Sequence, residues 1–94
     1  MGHQPILDFV FTPHAEFEMI RRGLDEVIIR QVLAKPEQSL EVLKGRLVLQ
    51  SRILMGEPAR EYLVRVVVDV DRQPAEVVTA YRTSKVSKYW EGEK

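Results

Sequence analysis

The hydrophobic pattern divides the chain into a helical N-terminal part and an alternating C-terminal part. Residues 6–11, ILDFVF, form a short apolar and aromatic run, which predicts a β-strand. Thr12 offers an N-cap hydroxyl, and Pro13 has the backbone angle of a first helical residue. A helix is therefore expected to begin directly after the strand.

A second helix is predicted to follow at once. Gly23 suits the left-handed residue that closes the first helix, Asp25 can cap the second, and Pro36 stops it. Apolar residues recur at helical spacing through both segments, which predicts that they form the helical part of the core. These residues are Phe17, Ile20, Leu24, Ile28 and Val32.

After Pro36 the hydrophobic period changes to two, which predicts strands. Short segments rich in Gly, Pro and charged residues separate them, and strands joined by such turns pair antiparallel. The expected fold is α+β in the order βααββββ, with two N-terminal helices packed on an antiparallel meander sheet. The four later strands are expected at residues 39–43, 46–54, 61–70 and 76–82.

Alternation also sorts the strand side chains onto two faces of the sheet. A row of apolar side chains marks the face that packs on the helices, so Arg65 lies on the opposite face. A turn that pairs Val70 with Glu76 places Tyr81 opposite Arg65, and the same count across the preceding turn places Gln50 opposite Arg65. The apolar row comprises Tyr62, Val64, Val66, Val68 and Val70.

Composition adds limits to this layout. A chain of 94 residues with 45% hydrophobic and 30% charged residues is expected to form one domain over residues 1–94, with frayed ends at 1–5 and 91–94. Neither cysteine nor a membrane-length apolar run is present, so a cytoplasmic protein without membrane partners is expected. The net charge is zero, but residues 1–43 carry −3 and residues 44–88 carry +4.

The predicted outer sheet face gathers polar side chains that suit a phosphodiester. Arg52 and Arg65 can bind phosphate oxygens bidentately, while the Tyr81 phenol can donate a proton or stack on a base. His14 can act as acid or base near neutral pH if the first helix abuts the sheet edge. The expected catalytic residues are His14, Arg52, Arg65 and Tyr81, and the expected binding residues are Arg22, Gln50, Thr79, Arg82, Lys85 and Lys88.

Metal-independent RNA cleavage needs a base, an acid and cations for the phosphorane charge. With two histidines and no cysteine, a zinc site is not expected, so neither a metal nor a cofactor is predicted.

A family resemblance points the same way. Residues 11–37, FTPHAEFEMIRRGLDEVIIRQVLAKPE, followed by a glycine hairpin, LVRVVVDV and VVTAYR, resemble the bacterial domain-of-unknown-function 4258 family over about residues 11–82. That family is grouped with the barnase/RelE-like superfamily of small α+β ribonucleases, many of them toxins of toxin–antitoxin pairs. The resemblance implies a RelE/barnase-like fold, RNA as substrate, including ribosome-bound mRNA, and a cognate antitoxin. Its specific elements are His14-Ala15, Met19, Arg22-Gly23-Leu24, Pro36, Arg65, Thr79 and Tyr81.

Each candidate group also has a structural explanation. His14, Glu18 and Arg22 lie at i, i+4 and i+8, which is typical of a solvated, ion-paired helix face. The sheet arginines can pair with Asp69 or Glu61 instead of a ligand. The tail aromatic residues can dock on the core or on a partner, or bind RNA with the lysines.

The alternative function is a non-catalytic interaction module with the same fold. Its half-apolar outer sheet face would bind a protein or a second copy of the chain as a homodimer. A large exposed apolar patch there, with the arginines paired, would favour this alternative. The apolar residues expected on that face are Val48, Leu63, Val67 and Val77.

Overall fold

The fold is a mixed α+β arrangement of one five-stranded sheet and three helices, seen in a computed structural model that describes residues 5–92. The strands are β1 (Phe9–Phe11), β2 (Gln38–Leu43), β3 (Arg46–Met55), β4 (Arg60–Asp69) and β5 (Ala75–Thr83). The helices are α1 (Pro13–Arg21), α2 (Glu26–Ala34) and α3 (Val86–Tyr89). Of the ends predicted to fray, residues 1–5 and 91–94, residues 1–4 and 93–94 lie outside the described residues.

The sheet has the strand order β1-β5-β4-β3-β2. The antiparallel pairing predicted for the last four strands is confirmed, but β1 pairs with β5 in parallel, so the sheet is mixed. The expectation of antiparallel pairing rests on short turns between consecutive strands. It does not apply to β1 and β5, because the other three strands lie between them in the sequence. The chain also continues after β5 into α3, which the predicted order βααββββ does not contain.

The predicted helix boundaries have the expected caps. The Thr12 side chain accepts a hydrogen bond from the Ala15 backbone N–H at 3.0 Å, and the Asp25 carboxylate accepts one from Ile28 at 3.1 Å. Gly23 has a φ of +67°, the left-handed conformation that ends a helix. Local capping chemistry therefore sets where both long helices begin.

The helical core was predicted correctly only in part. Leu24 and Val32 are buried and Ile28 is half-buried, but Phe17 and Ile20 are 61% and 83% exposed, so their assignment to the core is wrong. The nine residues of α1 carry apolar side chains on two sides, and periodicity alone cannot choose which side meets the sheet. The side that is buried carries Ala15, Glu18 and Met19.

The turn between β2 and β3 gives a testable stability effect. Gly45 has a φ of +82°, and a Cβ there would lie 2.9 Å from the Asp71 side chain. We expect Gly45→Ala to lower the free energy of unfolding by about 1–3 kcal/mol, from left-handed strain and crowding, measured by urea denaturation.

Gly56→Ala is the matched control. Gly56 has a φ of +94°, and its nearest atom to an added Cβ is 3.6 Å away, so this variant has the backbone strain without the clash. Equal losses of stability in the two variants would show that the approach of Asp71 contributes nothing.

Candidate functional site

The outer face, defined here as the sheet face opposite α1 and α2, brings three predicted site residues together. Arg65 on β4 pairs with Gln50 on β3 and with Tyr81 on β5, as the register counted from the turns predicted. The neighbouring residues of β4 pack into the helix-side core, so alternation turns Arg65 outward.

The register at the β4–β5 turn differs from the prediction. Glu76 pairs with Asp69 and not with Val70 as predicted, and a bulge follows in which Val78 has no partner of its own. This extra residue restores the predicted pairing of Tyr81, but it turns Val77 to the helix side, where it is fully buried. The expectation that Val77 lies on the outer face was therefore wrong.

Arg65 is held by neutral hydrogen-bond partners. Its Nε donates to Gln50 Oε1 at 2.8 Å, and its Nη1 donates to the Tyr81 hydroxyl at 2.6 Å. Gln50 is fully buried, and its Nε2 donates to Gln38 Oε1 at 2.7 Å, which fixes the amide orientation. Across residues 5–92 no carboxylate pairs with Arg65, so its positive charge is oriented but not neutralised.

Arg22 lies beside this cluster from the end of α1. Its guanidinium carbon is 5.8 Å from the centroid of the Tyr81 ring, and its Nε donates to Glu18 Oε1 at 2.8 Å. Hydrogen bonds from Arg22 and then Arg21 hold the pKa of Glu18 below its usual value. Glu18 and Arg22 thus form the ion pair of the helix-face explanation, but Glu18 is buried, so its side of α1 is not the solvated face that this explanation expected.

Two predicted site residues lie apart from the cluster. His14 is exposed in the first turn of α1, and its side chain makes no hydrogen bond or ion pair within the described part of the chain. Arg82 points to the helix side of β5, where its guanidinium carbon is 4.8 Å from the centroid of the Tyr62 ring. Thr79 shares the outer face with Tyr81 and is half-buried.

Arg52 lies on the outer face, but its charge is neutralised. Its Nε and Nη2 each donate to the Glu37 carboxylate at 3.0 Å, and the pKa of that carboxyl is lowered by these bonds. The structural explanation, an ion pair of the arginine, therefore fits Arg52, with Glu37 as the partner in place of Asp69 or Glu61. The guanidinium carbon is also 4.0 Å from the Trp90 ring centroid. Arg52 therefore serves an ion pair and an aromatic contact.

The C-terminal segment contributes residues that the sequence pattern did not assign to the site. The Tyr89 ring centroid lies 4.4 Å from the guanidinium carbon of Arg65, and the Tyr89 carbonyl accepts from Gln50 Nε2 at 3.2 Å. Trp90 is half-buried, so it docks within the chain. Lys85 and Lys88 are exposed. In the sequence, Tyr89 and Trp90 beside two lysines indicated an RNA-binding segment as one alternative. The contacts of these rings with Arg65 and Arg52 could not be predicted from the pattern.

The outer face does not present the apolar patch that the interaction-module alternative requires. Leu63 is fully buried, Val48 is 6% exposed and Val67 is half-buried. These three side chains are therefore covered, and the patch expected from them is absent, although Leu54 near the end of β3 is 71% exposed on the same face.

Asp69 on the same face gives an expected pH dependence. Hydrogen bonds from Arg46 at 2.6 and 3.0 Å lower the pKa of Asp69 below its ordinary 3.8. The unfolded state then binds the proton more readily, so stability is fully present above about pH 4 and is lost as pH falls through the folded pKa. Urea denaturation from pH 7 to pH 2 should show this loss. Asp69→Asn should have a lower free energy of unfolding than the wild type at pH 7, and this free energy should fall less on acidification. The control Asp71→Asn, at an exposed position, should show the pH dependence of the wild type.

The fold and this cluster define a small α+β domain whose outer sheet face carries an oriented, unneutralised arginine. The chain belongs to the family described as a domain of unknown function (DUF4258), whose model matches residues 11–82. No curated protein and no solved structure matches the chain. The matched region contains Arg22, Gln50, Arg65 and Tyr81 and ends before α3.

Two further findings concern residues 5–92. No helix among them is long and apolar enough to cross a membrane. No three His, Asp or Glu side chains in this part of the chain are grouped to hold a metal ion.

Proposed function

We propose that the chain is a metal-independent endoribonuclease of the barnase/RelE-like superfamily, acting as the toxin of a bacterial toxin–antitoxin pair, and that Arg65 binds the scissile phosphate. The observation that supports this proposal is that the side chains hydrogen-bonded to Arg65 are uncharged. Two of its N–H groups bind Gln50 and Tyr81, which orients the guanidinium and leaves three N–H groups for an anion. A phosphodiester suits such a planar donor set.

Tyr81 is the proposed proton donor. Its oxygen accepts from Arg65, so its own O–H remains available to a ligand oxygen. In RNA cleavage the 2′-oxygen attacks phosphorus and releases its proton to water, the bond to the 5′-oxygen breaks, and Tyr81 protonates that oxygen. Arg22 lies beside the Tyr81 ring and shares the Glu18 carboxylate with Arg21, so this group of three side chains keeps one net positive charge near the phosphorane.

The other predicted residues have smaller roles in this proposal. Thr79, Lys85 and Lys88 would contact the RNA chain around the scissile phosphate. His14 is not included because it contacts neither Arg65 nor Tyr81, and Arg52 is not included because Glu37 neutralises it. The proposed partners are RNA, including ribosome-bound mRNA, and a cognate antitoxin in the cytoplasm.

The test uses the purified chain with short single-stranded RNA in the presence of a chelator. We expect cleavage to products ending in a 2′,3′-cyclic phosphate, and we expect induced expression in a bacterial host to arrest growth. Absence of RNA binding, of cleavage and of growth arrest would refute the proposal.

A further inference from the structure

Residues 89–91, named here the C-terminal strap, lie across the Arg65 cluster, which consists of Arg65, Gln50 and Tyr81. The Tyr89 ring stacks on the Arg65 guanidinium at 4.4 Å, and it also makes an edge contact with the Tyr81 ring at 6.4 Å. The Tyr89 carbonyl accepts from Gln50, which is fully buried although it belongs to the face without α1 and α2. The strap therefore covers the cluster from the solvent side.

The strap is attached by a small number of surface contacts. Gln38 Nε2 donates to the Glu91 carbonyl at 2.8 Å, and the Glu91 N–H donates to Gln38 Oε1 at 3.1 Å. Trp90 adds its contact with Arg52. The preceding helix α3 has four residues, none of them buried, and no side-chain cap bond at its start. Water can replace most of these contacts, so the docked strap is favoured only modestly and the released strap is a minor state of about 1–10%.

The strap offers the cluster the two groups that a nucleotide would bring. The Tyr89 ring covers the guanidinium face as a base can, and its carbonyl oxygen accepts from Gln50 Nε2 as a phosphate or base oxygen can. A ligand that binds both Arg65 and Gln50 must displace these groups. The strap and a nucleotide therefore cannot occupy the cluster together.

We infer that the C-terminal strap is an intramolecular competitor that closes the Arg65 cluster, and that single-stranded nucleic acid binds only after the strap leaves. The class of ligand in this inference rests on the proposed function. The apparent affinity is then the intrinsic affinity multiplied by the open fraction, so opening the strap raises binding.

Trp90→Ala tests the inference because Trp90 touches Arg52 and not the cluster. The probe is a short oligodeoxynucleotide. It lacks the 2′-hydroxyl that attacks phosphorus in RNA cleavage, so it stays intact during the binding measurement. We expect Trp90→Ala to tighten binding at least about tenfold, or about 1.4 kcal/mol. Trp90→Phe keeps a ring on Arg52 and should bind as the wild type does. Gln38→Ala removes the other attachment but also the acceptor of Gln50 Nε2, so its effect on the strap is read from hydrogen exchange and not from affinity.

Hydrogen exchange of the backbone amide of residue 90, which donates to the Val86 carbonyl, reports opening independently of binding when each rate is divided by the intrinsic rate for the side chain present. Faster exchange with tighter binding supports the inference. Faster exchange with unchanged affinity overturns it and leaves the proposed function standing. Faster exchange with no oligodeoxynucleotide or RNA binding in any variant overturns both. Unchanged exchange in both Trp90→Ala and Gln38→Ala, with unchanged affinity in Trp90→Ala, shows that no competing strap exists.

Discussion

Tyr81→Phe is expected to lower RNA cleavage by about 10²–10⁴-fold, the range for loss of a positioned proton donor. The substitution removes the hydroxyl that lies 2.6 Å from Arg65 Nη1 and keeps the ring that contacts Tyr89 and Arg22. Stability should fall by only about 1 kcal/mol, because one hydrogen bond is lost and the packing remains. Initial cleavage rates and urea denaturation on the same preparation measure both effects.

Tyr62→Phe is the matched control for this prediction. Tyr62 lies on the same strand as Arg65 but on the helix side, where its ring contacts Arg82 and Arg60. The control should cleave RNA at the wild-type rate. If Tyr81→Phe also cleaves at that rate, Tyr81 has no part in proton transfer.

The pairing of Arg65 with its neighbours shows what strand periodicity can predict. The β3–β4 register follows directly from the turn, because ten consecutive pairs continue without a bulge. The pairing of Arg65 with Tyr81 came from a count that began one residue wrong, and the unpaired Val78 compensated for the error. The same bulge explains why Val77 was assigned to the wrong face.

Side-chain partnerships between distant elements were beyond the sequence pattern. Arg52 binds Glu37, which precedes β2, and Tyr89 covers Arg65 from a segment that follows the sheet. Such contacts depend on how elements pack and on rotamers, whereas periodicity reports only which face a residue occupies. Phe17 shows the same limit, because its helical spacing is regular and its side chain is nevertheless exposed.

The burial of Gln50 changes the expected cost of substitutions in the cluster. An outward-facing arginine would ordinarily contribute little to stability, but Arg65→Ala would leave the buried Gln50 Oε1 without its donor. An unpaired buried acceptor costs about 1–3 kcal/mol. A loss of activity in Arg65→Ala would therefore mix altered stability with altered chemistry, and a sharper substitution is needed.

Gln50→Glu is that substitution, because it places a carboxylate of nearly the same shape beside Arg65 Nε, where the amide oxygen now lies at 2.8 Å. The new ion pair neutralises the charge that the proposed function assigns to phosphate binding. We expect oligodeoxynucleotide affinity to fall by about 10–100-fold, since a hydrogen bond to a charged group contributes about 1.5–3 kcal/mol.

The substitution also removes the donor to the Tyr89 carbonyl, which loosens the strap and by itself would raise affinity. A net fall therefore identifies the Arg65–Gln50 pair as the phosphate site, through the charge of Arg65 together with the Gln50 Nε2 donor. Gln31→Glu, which adds the same charge on the exposed side of α2, should leave affinity unchanged. Wild-type affinity in Gln50→Glu would mean that Arg65 does not bind the phosphate, provided that urea denaturation shows a folded protein and hydrogen exchange shows a strap no more open than in the wild type.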